Sequence, residues 1–150
     1  MGEKIDVIIR IAVKSDLPQI FELYQELNPD DPAIDEDMAI SIWEKATSGG
    51  VSYFVADHNG IITATCYIAI IPNITRQCSP IGYIENVITK AGYRRLGIGR
   101  KLLNQTIEYA KAQGCYKVVL LSGIRRAEAH QFYESIGFDG NSKRAFEIRL

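Results

Sequence analysis

The sequence predicts a mixed α/β (α+β) fold, one central sheet carrying both strand senses with helices packed against it. Three observations predict it. Apolar runs that alternate every second residue interleave with runs that repeat every three to four, in the order βααβββαβαβ. The run Tyr116–Leu121 is almost continuously apolar, the pattern of a strand covered on both faces. The chain has 150 residues, 47% of them hydrophobic, which suits one compact core and a single domain over 1–150.

Each element has its own signal. Ile5, Val7, Ile9, Ile11 and Val13 alternate with Asp6, Arg10 and Lys14, so residues 5–13 read as a half-buried strand. Asp16 is placed as a helix N-cap with Pro18 in the first turn, and Leu17, Ile20, Phe21, Tyr24 and Leu27 follow helical spacing. Residues 28–37 read as an acidic loop, and a second helix then shows Ala39, Ile42, Trp43 and Ala46 on one face. Val51–Ala56 is a strand, Asp57-His58-Asn59-Gly60 has hairpin-turn chemistry, and Ile61–Ile71 is a β-branched strand ended by Pro72 and Asn73. Ser79–Thr89 reads as the fourth strand and 90–96 as a loop. A helix follows from Gly97 to Gln113, with Gly114 as its C-terminal stop. After strand Tyr116–Leu121, Arg126–Ser135 reads as a helix closed by Gly137. Phe146, Ile148 and Leu150 alternate in a terminal strand.

Composition excludes disorder, collagen and a disulfide framework. The longest apolar stretch, Ile61–Pro72, contains Thr63 and Thr65 and falls short of the about 20 residues a membrane helix needs. Met1–Asp6 carries two acids and no apolar leader core, so a cytoplasmic protein without membrane contact is expected. Cys66, Cys78 and Cys115 are far apart with no CxxC; reduced thiols and no metal site are expected. The net charge is −1, yet residues 1–75 hold 12 acids and 4 bases while 76–150 hold 6 acids and 13 bases. That imbalance points to an anionic ligand in the second half. Nucleic acid is the weaker choice, because there is no lysine-rich run.

The most informative segment is Arg94-Arg95-Leu96-Gly97-Ile98-Gly99-Arg100-Lys101, between a strand and a helix. Two glycines let the backbone turn tightly and bring its N–H groups close to a ligand. The first N–H groups of a helix lack internal partners, and the helix dipole adds positive potential, so a phosphate satisfies both. Four cationic side chains in eight residues suit a di- or polyphosphate better than a carboxylate. A dinucleotide fingerprint fails, because Leu102 stands at its third glycine and no acid lies about 20 residues on. A plain helix start with solvated arginines competes on equal terms for this loop taken alone.

Residues 82–138 resemble the core of the GNAT superfamily of N-acetyltransferases. The family's R-x-x-G-x-G signature is matched by Arg94, Gly97 and Gly99, and its later aromatic block by Ala129, Phe132, Tyr133, Gly137 and Phe138. Arg126 stands where that block usually has Asn. The resemblance implies the GNAT fold, with the sheet splayed between strands 4 and 5 and acetyl-CoA as cosubstrate. It places the pyrophosphate on Arg94, Arg95, Leu96, Gly97, Ile98, Gly99, Arg100 and Lys101. Pantetheine falls on Val87, Ile88 and Thr89. Phe132 packs against the sheet or the cofactor, and Arg126, in place of the pantetheine-binding Asn, or Arg125 could instead meet a phosphate or an acidic substrate. Ile84–Ile88 and Gly114–Val118 are similar to glucosamine-phosphate N-acetyltransferases. Arg126–Phe138 looks more like aminoalkylphosphonate acetyltransferases and uncharacterised bacterial small-molecule relatives, so the substrate does not transfer. Family members often dimerise, and a homodimer is allowed though no sequence feature specifies one.

Acetyl transfer to a primary amine sets three physical demands. An alkyl amine of pKa about 10.4 is neutral in only about one part in a few thousand at pH 7, so something must accept its proton. Glu85 is the candidate base, directly or through water; pairing with a basic residue or orienting the loop competes with that role. With period 2 along the strand, Glu85 and Val87 would share one face and Asn86 and Ile88 the other. The thioester oxygen gains charge and needs a fixed donor, which the resemblance puts at the Val87 N–H. The departing thiolate benefits from a proton, and the resemblance puts Tyr133 near the sulfur; packing beside Phe132 is its alternative. Arg76 could meet an acceptor anion and Asn86 the acceptor itself, while Asp30, Asp31, Asp35, Glu36 and Asp37 could attract a cationic amine or simply be solvated. His58 is read as a solvated turn residue, His130 as a helix-surface or cofactor-edge residue, and Cys115 as core. The expected reaction is direct attack by a small amine in a ternary complex. A peptide or protein amine, or a non-catalytic acyl-CoA sensor, are the alternatives.

Overall fold

The structure is a computed structural model that describes residues 4–150; Met1, Gly2 and Glu3, part of the terminus read above for a leader, lie outside the described residues. The chain divides into two compact units, one ending at Val119 and the other Leu120–Leu150.

The first unit opens with β1 (Ile8–Ile11), a 3-10 turn (Lys14–Asp16), α1 (Leu17–Leu27) and α2 (Glu36–Ser48). It continues through β2 (Val51–His58), β3 (Ile61–Ile71), a single turn α3 (Thr75–Cys78), β4 (Ile81–Thr89) and α4 (Ile98–Ala112). Then β5 (Lys117–Leu120) completes a five-stranded sheet of order β1-β2-β3-β4-β5. Strands β1 to β4 are antiparallel neighbours, whereas β5 runs parallel to β4 and splays from it.

Helices cover both faces. On one, Leu17, Ile20 and Leu23 of α1 pack with Val55, Ile62 and Ile88, and Ile40, Trp43 and Tyr53 close over that cluster. Burying each such aliphatic side chain stabilises the fold by about 1.5–3 kcal/mol. On the other face α4 lies close to the strands. Tyr109 meets Phe54 edge-on at 5.3 Å, Thr106 Oγ1 and Cys66 Sγ are 3.4 Å apart, and Gly82 leaves the room that Ala110 and Ile68 occupy. Burial pushes the Cys66 thiol up to about 12.

Several expectations are corrected. The first strand is shorter than 5–13 because the chain turns at Val13. Asp16 holds the N-cap position of α1, as expected, but its carboxylate accepts the Val13 N–H and two guanidinium contacts from Arg10 rather than a helix N–H. In α2, Ile42 faces solvent and Ile40 takes the inward position; Asp35 caps this helix by accepting the Met38 N–H. His58 is no solvated turn residue: it ends β2, with Nδ1 2.7 Å from the Asp6 carbonyl. The turn α3, not foreseen, carries Arg76, Gln77 and Cys78 at φ 56, 57 and 59, left-handed geometry that costs a non-glycine residue about 1–2 kcal/mol each. The strand β5 is half-buried rather than covered on both faces, with Lys117 exposed.

The second unit holds α5 (Ala127–Ile136), ended by Gly137 at φ 121. The expected terminal strand is absent among the described residues: 143–150 form no regular element, and Phe146 and Ile148 are exposed. Alternation supplies strand propensity but no partner.

Candidate active site

The β4 strand positions the site. Tyr53, Tyr67 and Glu85 stand directly opposite one another across β2, β3 and β4, with the two tyrosine rings 5.4 Å apart. Two residues along, Tyr83 donates its hydroxyl to Glu85 Oε1 at 2.7 Å. The base candidate is therefore held by a phenol, and no ion pair to Glu85 forms among the described residues. Burial and the Glu85 carboxylate push the Tyr83 phenol up to about 12, so it remains a proton donor at neutral pH. Burial likewise raises Tyr67.

Beyond Glu85 the pairing slips. Tyr67 faces Glu85 and Thr65 faces Ile88, so Asn86 and Val87 together oppose Cys66, and Asn86 sits at φ 53. This β-bulge corrects the expected facing. Strict alternation would put Ile88 on the α4 side, yet Ile88 joins the α1 cluster, and Asn86 lines a cavity with Tyr24 of α1. The cavity, about 190 Å3, is bounded by α1, the loop into α2 and the bulge. Tyr24 reaches it with a buried hydroxyl that has no hydrogen-bond partner among the described residues. Burial, with Tyr53 adding to it, holds that phenol well above its ordinary range despite the pull of nearby Asn86.

Eight residues after Thr89, Gly97 occupies the N-cap of α4 at φ 78, a left-handed conformation that glycine takes without a Cβ clash. No side chain caps this helix, and a Cβ at Gly97 would meet nothing within 4 Å. The first N–H groups of a helix lack partners within it, which is the geometry a phosphate cradle uses. Ile98 is buried and anchors the turn, while Leu96 is half-buried and Arg95, Arg100 and Lys101 are exposed around it. Arg94 folds back: Nε donates to the Thr89 carbonyl at 3.1 Å, and a terminal nitrogen lies 4.0 Å from Glu26.

In the second unit, Tyr133 is buried on α5 between Phe132 and Phe138, at ring distances of 5.5 and 6.0 Å. Arg126 is the N-cap of α5 without a side-chain cap bond. His130 holds the Gly123 carbonyl at 2.8 Å. Arg76 lies over the Tyr116 ring, 5.8 Å from its centroid, and does not line the cavity. Cys115 is half-buried rather than core, with its thiol raised by burial. Sequence reasoning missed Tyr83, Tyr67 and Tyr24. Tyr83-x-Glu85 at period 2 was a usable signal, whereas Tyr24 read as one more apolar helix position.

Comparison with known proteins fixes the class. Residues 17–138 match the acetyltransferase (GNAT) family, and the chain belongs to it. It is 30% identical over 146 residues to the glucosamine 6-phosphate N-acetyltransferase of Trypanosoma brucei brucei, spanning 96% of this chain and 97% of that protein. A solved structure from Agrobacterium tumefaciens strain C58, described as a candidate acetyltransferase, matches with TM-score 0.90 and 42% identity over 95% of this chain and 99% of that one. The crystal structure of glucosamine-6-phosphate N-acetyltransferase from Arabidopsis thaliana matches with TM-score 0.81 and 26% identity, over 95% and 98% of the two chains. The expected fold and enzyme class are borne out: the chain is an acyltransferase of the acetyltransferase type. Solved structures of this fold hold CoA. Among the described residues no helix is long and apolar enough to cross a membrane.

Proposed function

We propose that this chain transfers acetyl from acetyl-CoA to the primary amine of a small molecule, by direct attack while both are bound. The observation that carries the reading is the Tyr83–Glu85 contact at 2.7 Å, on a strand whose next residue forms a bulge beside a cavity. Acetyl-CoA supplies the activated thioester when bound. The open start of α4 at Gly97, with Arg95, Arg100 and Lys101 around it, fits its diphosphate; Val87, Ile88 and Thr89 fit the pantetheine arm. Glu85 takes the proton that the ammonium must lose, directly or through a water. The Val87 N–H would donate to the developing oxyanion. The Tyr133 hydroxyl protonates the departing sulfur and regains a proton from the nitrogen, which after attack still carries one too many, directly or through water; the products are a neutral amide and a thiol, Tyr133 is restored, and the first proton leaves Glu85 to solvent. The relatives' names support a small amine, since two of them act on glucosamine 6-phosphate.

The test is release of free CoA thiol by purified protein given acetyl-CoA and a panel of amines. Tyr133→Phe should slow release about 10–100-fold, within reach of a lost proton donor, while acetyl-CoA affinity changes less than about twofold. Tight CoA binding with no turnover on any amine would identify a sensor instead.

A further inference from the structure

Resting on the acetyl-transfer reading above, we propose that the acceptor is an amine bearing hydroxyl or further ammonium groups and no phosphate, held by Asp31 in the cavity beside the β4 bulge. The cavity carries one carboxylate, Asp31, and neither lysine, arginine nor histidine. Its other polar groups are neutral: the Tyr24 phenol and the carboxamides of Gln25, Asn28 and Asn86. Asp31 makes no ion pair among the described residues. The Tyr24 hydroxyl is buried behind this lining next to the Asn86 carboxamide, so Asn86 is the neutral group that the bulge places in the cavity wall.

The charge of this lining decides the class. An anionic substituent seated here would lose its water and meet a carboxylate with no cation to offset it. A hydroxyl or ammonium donates to Asp31 instead, and the neutral groups accept or donate as its geometry requires. Arg76, the basic residue of the neighbouring connection, is turned away onto Tyr116. The bulge brings Asn86, the residue that follows Glu85 in β4, into the lining of the cavity. At about 190 Å3 the cavity holds roughly six waters' worth of liquid, room for the reacting end of a compact acceptor.

The experiment supplies acetyl-CoA and three acceptor probes (glucosamine, glucosamine 6-phosphate and the diamine putrescine) and reads CoA thiol. Wild type should show kcat/KM at least about tenfold higher for glucosamine than for its phosphate ester. Asp31→Asn should weaken the apparent binding of putrescine in turnover about tenfold, and Asp31→Lys should reverse the preference within the glucosamine pair. Asp31 is exposed, so these variants test binding rather than folding. A wild-type preference for the phosphate ester, or a ratio that Asp31→Lys leaves in place, overturns the proposal while the turnover itself upholds the transferase reading. If no probe releases CoA, that reading fails, and calorimetric titration of the same probes decides the cavity. Binding of putrescine weakened tenfold by Asp31→Asn upholds it as a cation site, and binding indifferent to the substitution overturns it.

Discussion

At Glu85 one carboxylate oxygen is engaged by the Tyr83 hydroxyl. In the acetyl-transfer mechanism proposed above, Tyr83 positions the base. Tyr83→Phe should lower kcat about 10–100-fold, as a misplaced general base does, with acetyl-CoA affinity held within about twofold. A purely structural role would lower both together. A second residue-level test concerns Asp16, 6% exposed, which takes two guanidinium contacts from Arg10, itself shared with Asp57. Arg10 holds the Asp16 carboxyl below its ordinary range. A depressed carboxylate stabilises the fold above its unfolded pKa of about 3.9, and that contribution is lost as pH falls through the lower folded value. Asp16→Asn should therefore lose about 1–3 kcal/mol at pH 7, a discount on a fully buried pair because Arg10 is a third exposed. The variant's deficit should shrink in acid denaturation series below pH 4. Much of the site was legible at this scale: Glu85 and Asn86 stand out as polar residues in an apolar strand. The phenol that holds Glu85 and the one buried behind the cavity lining were not, because tyrosine in strands and helices is ordinarily packing.

Among the elements, the start of α4 is the clearest case of sequence dictating geometry. Gly97 is left-handed where the chain leaves the loop and enters the helix, and no side chain caps that start. Gly97→Val should cost about 1–2 kcal/mol, and Gly97→Asn less, since asparagine visits this region more readily. By thermal scan the valine variant should melt roughly 3–6 °C lower. Equal losses for both would mean that space rather than backbone conformation fixes the residue. The long elements were legible because their periodicity is strong: β3 was placed over its full observed range and α4 to within a residue at each end. What escaped was non-periodic. The left-handed turn at Arg76–Cys78 has no glycine to announce it, and a bulge leaves no trace in composition.

For the molecule as a whole, charge separates along the chain: acids crowd the α1–α2 loop beside the cavity, and bases surround the start of α4. Such a separation suits the proposed pairing of an anionic cosubstrate with a cationic acceptor. That separation was visible in the counts alone, while the side of the sheet each group faces was not, since facing depends on a single supernumerary residue. Removing residue 86 would restore unbroken parity to the strand and swing Ile88 out of one hydrophobic layer into the other. A change of one in the number of residues along β4 would therefore exchange the side chains presented to the two layers.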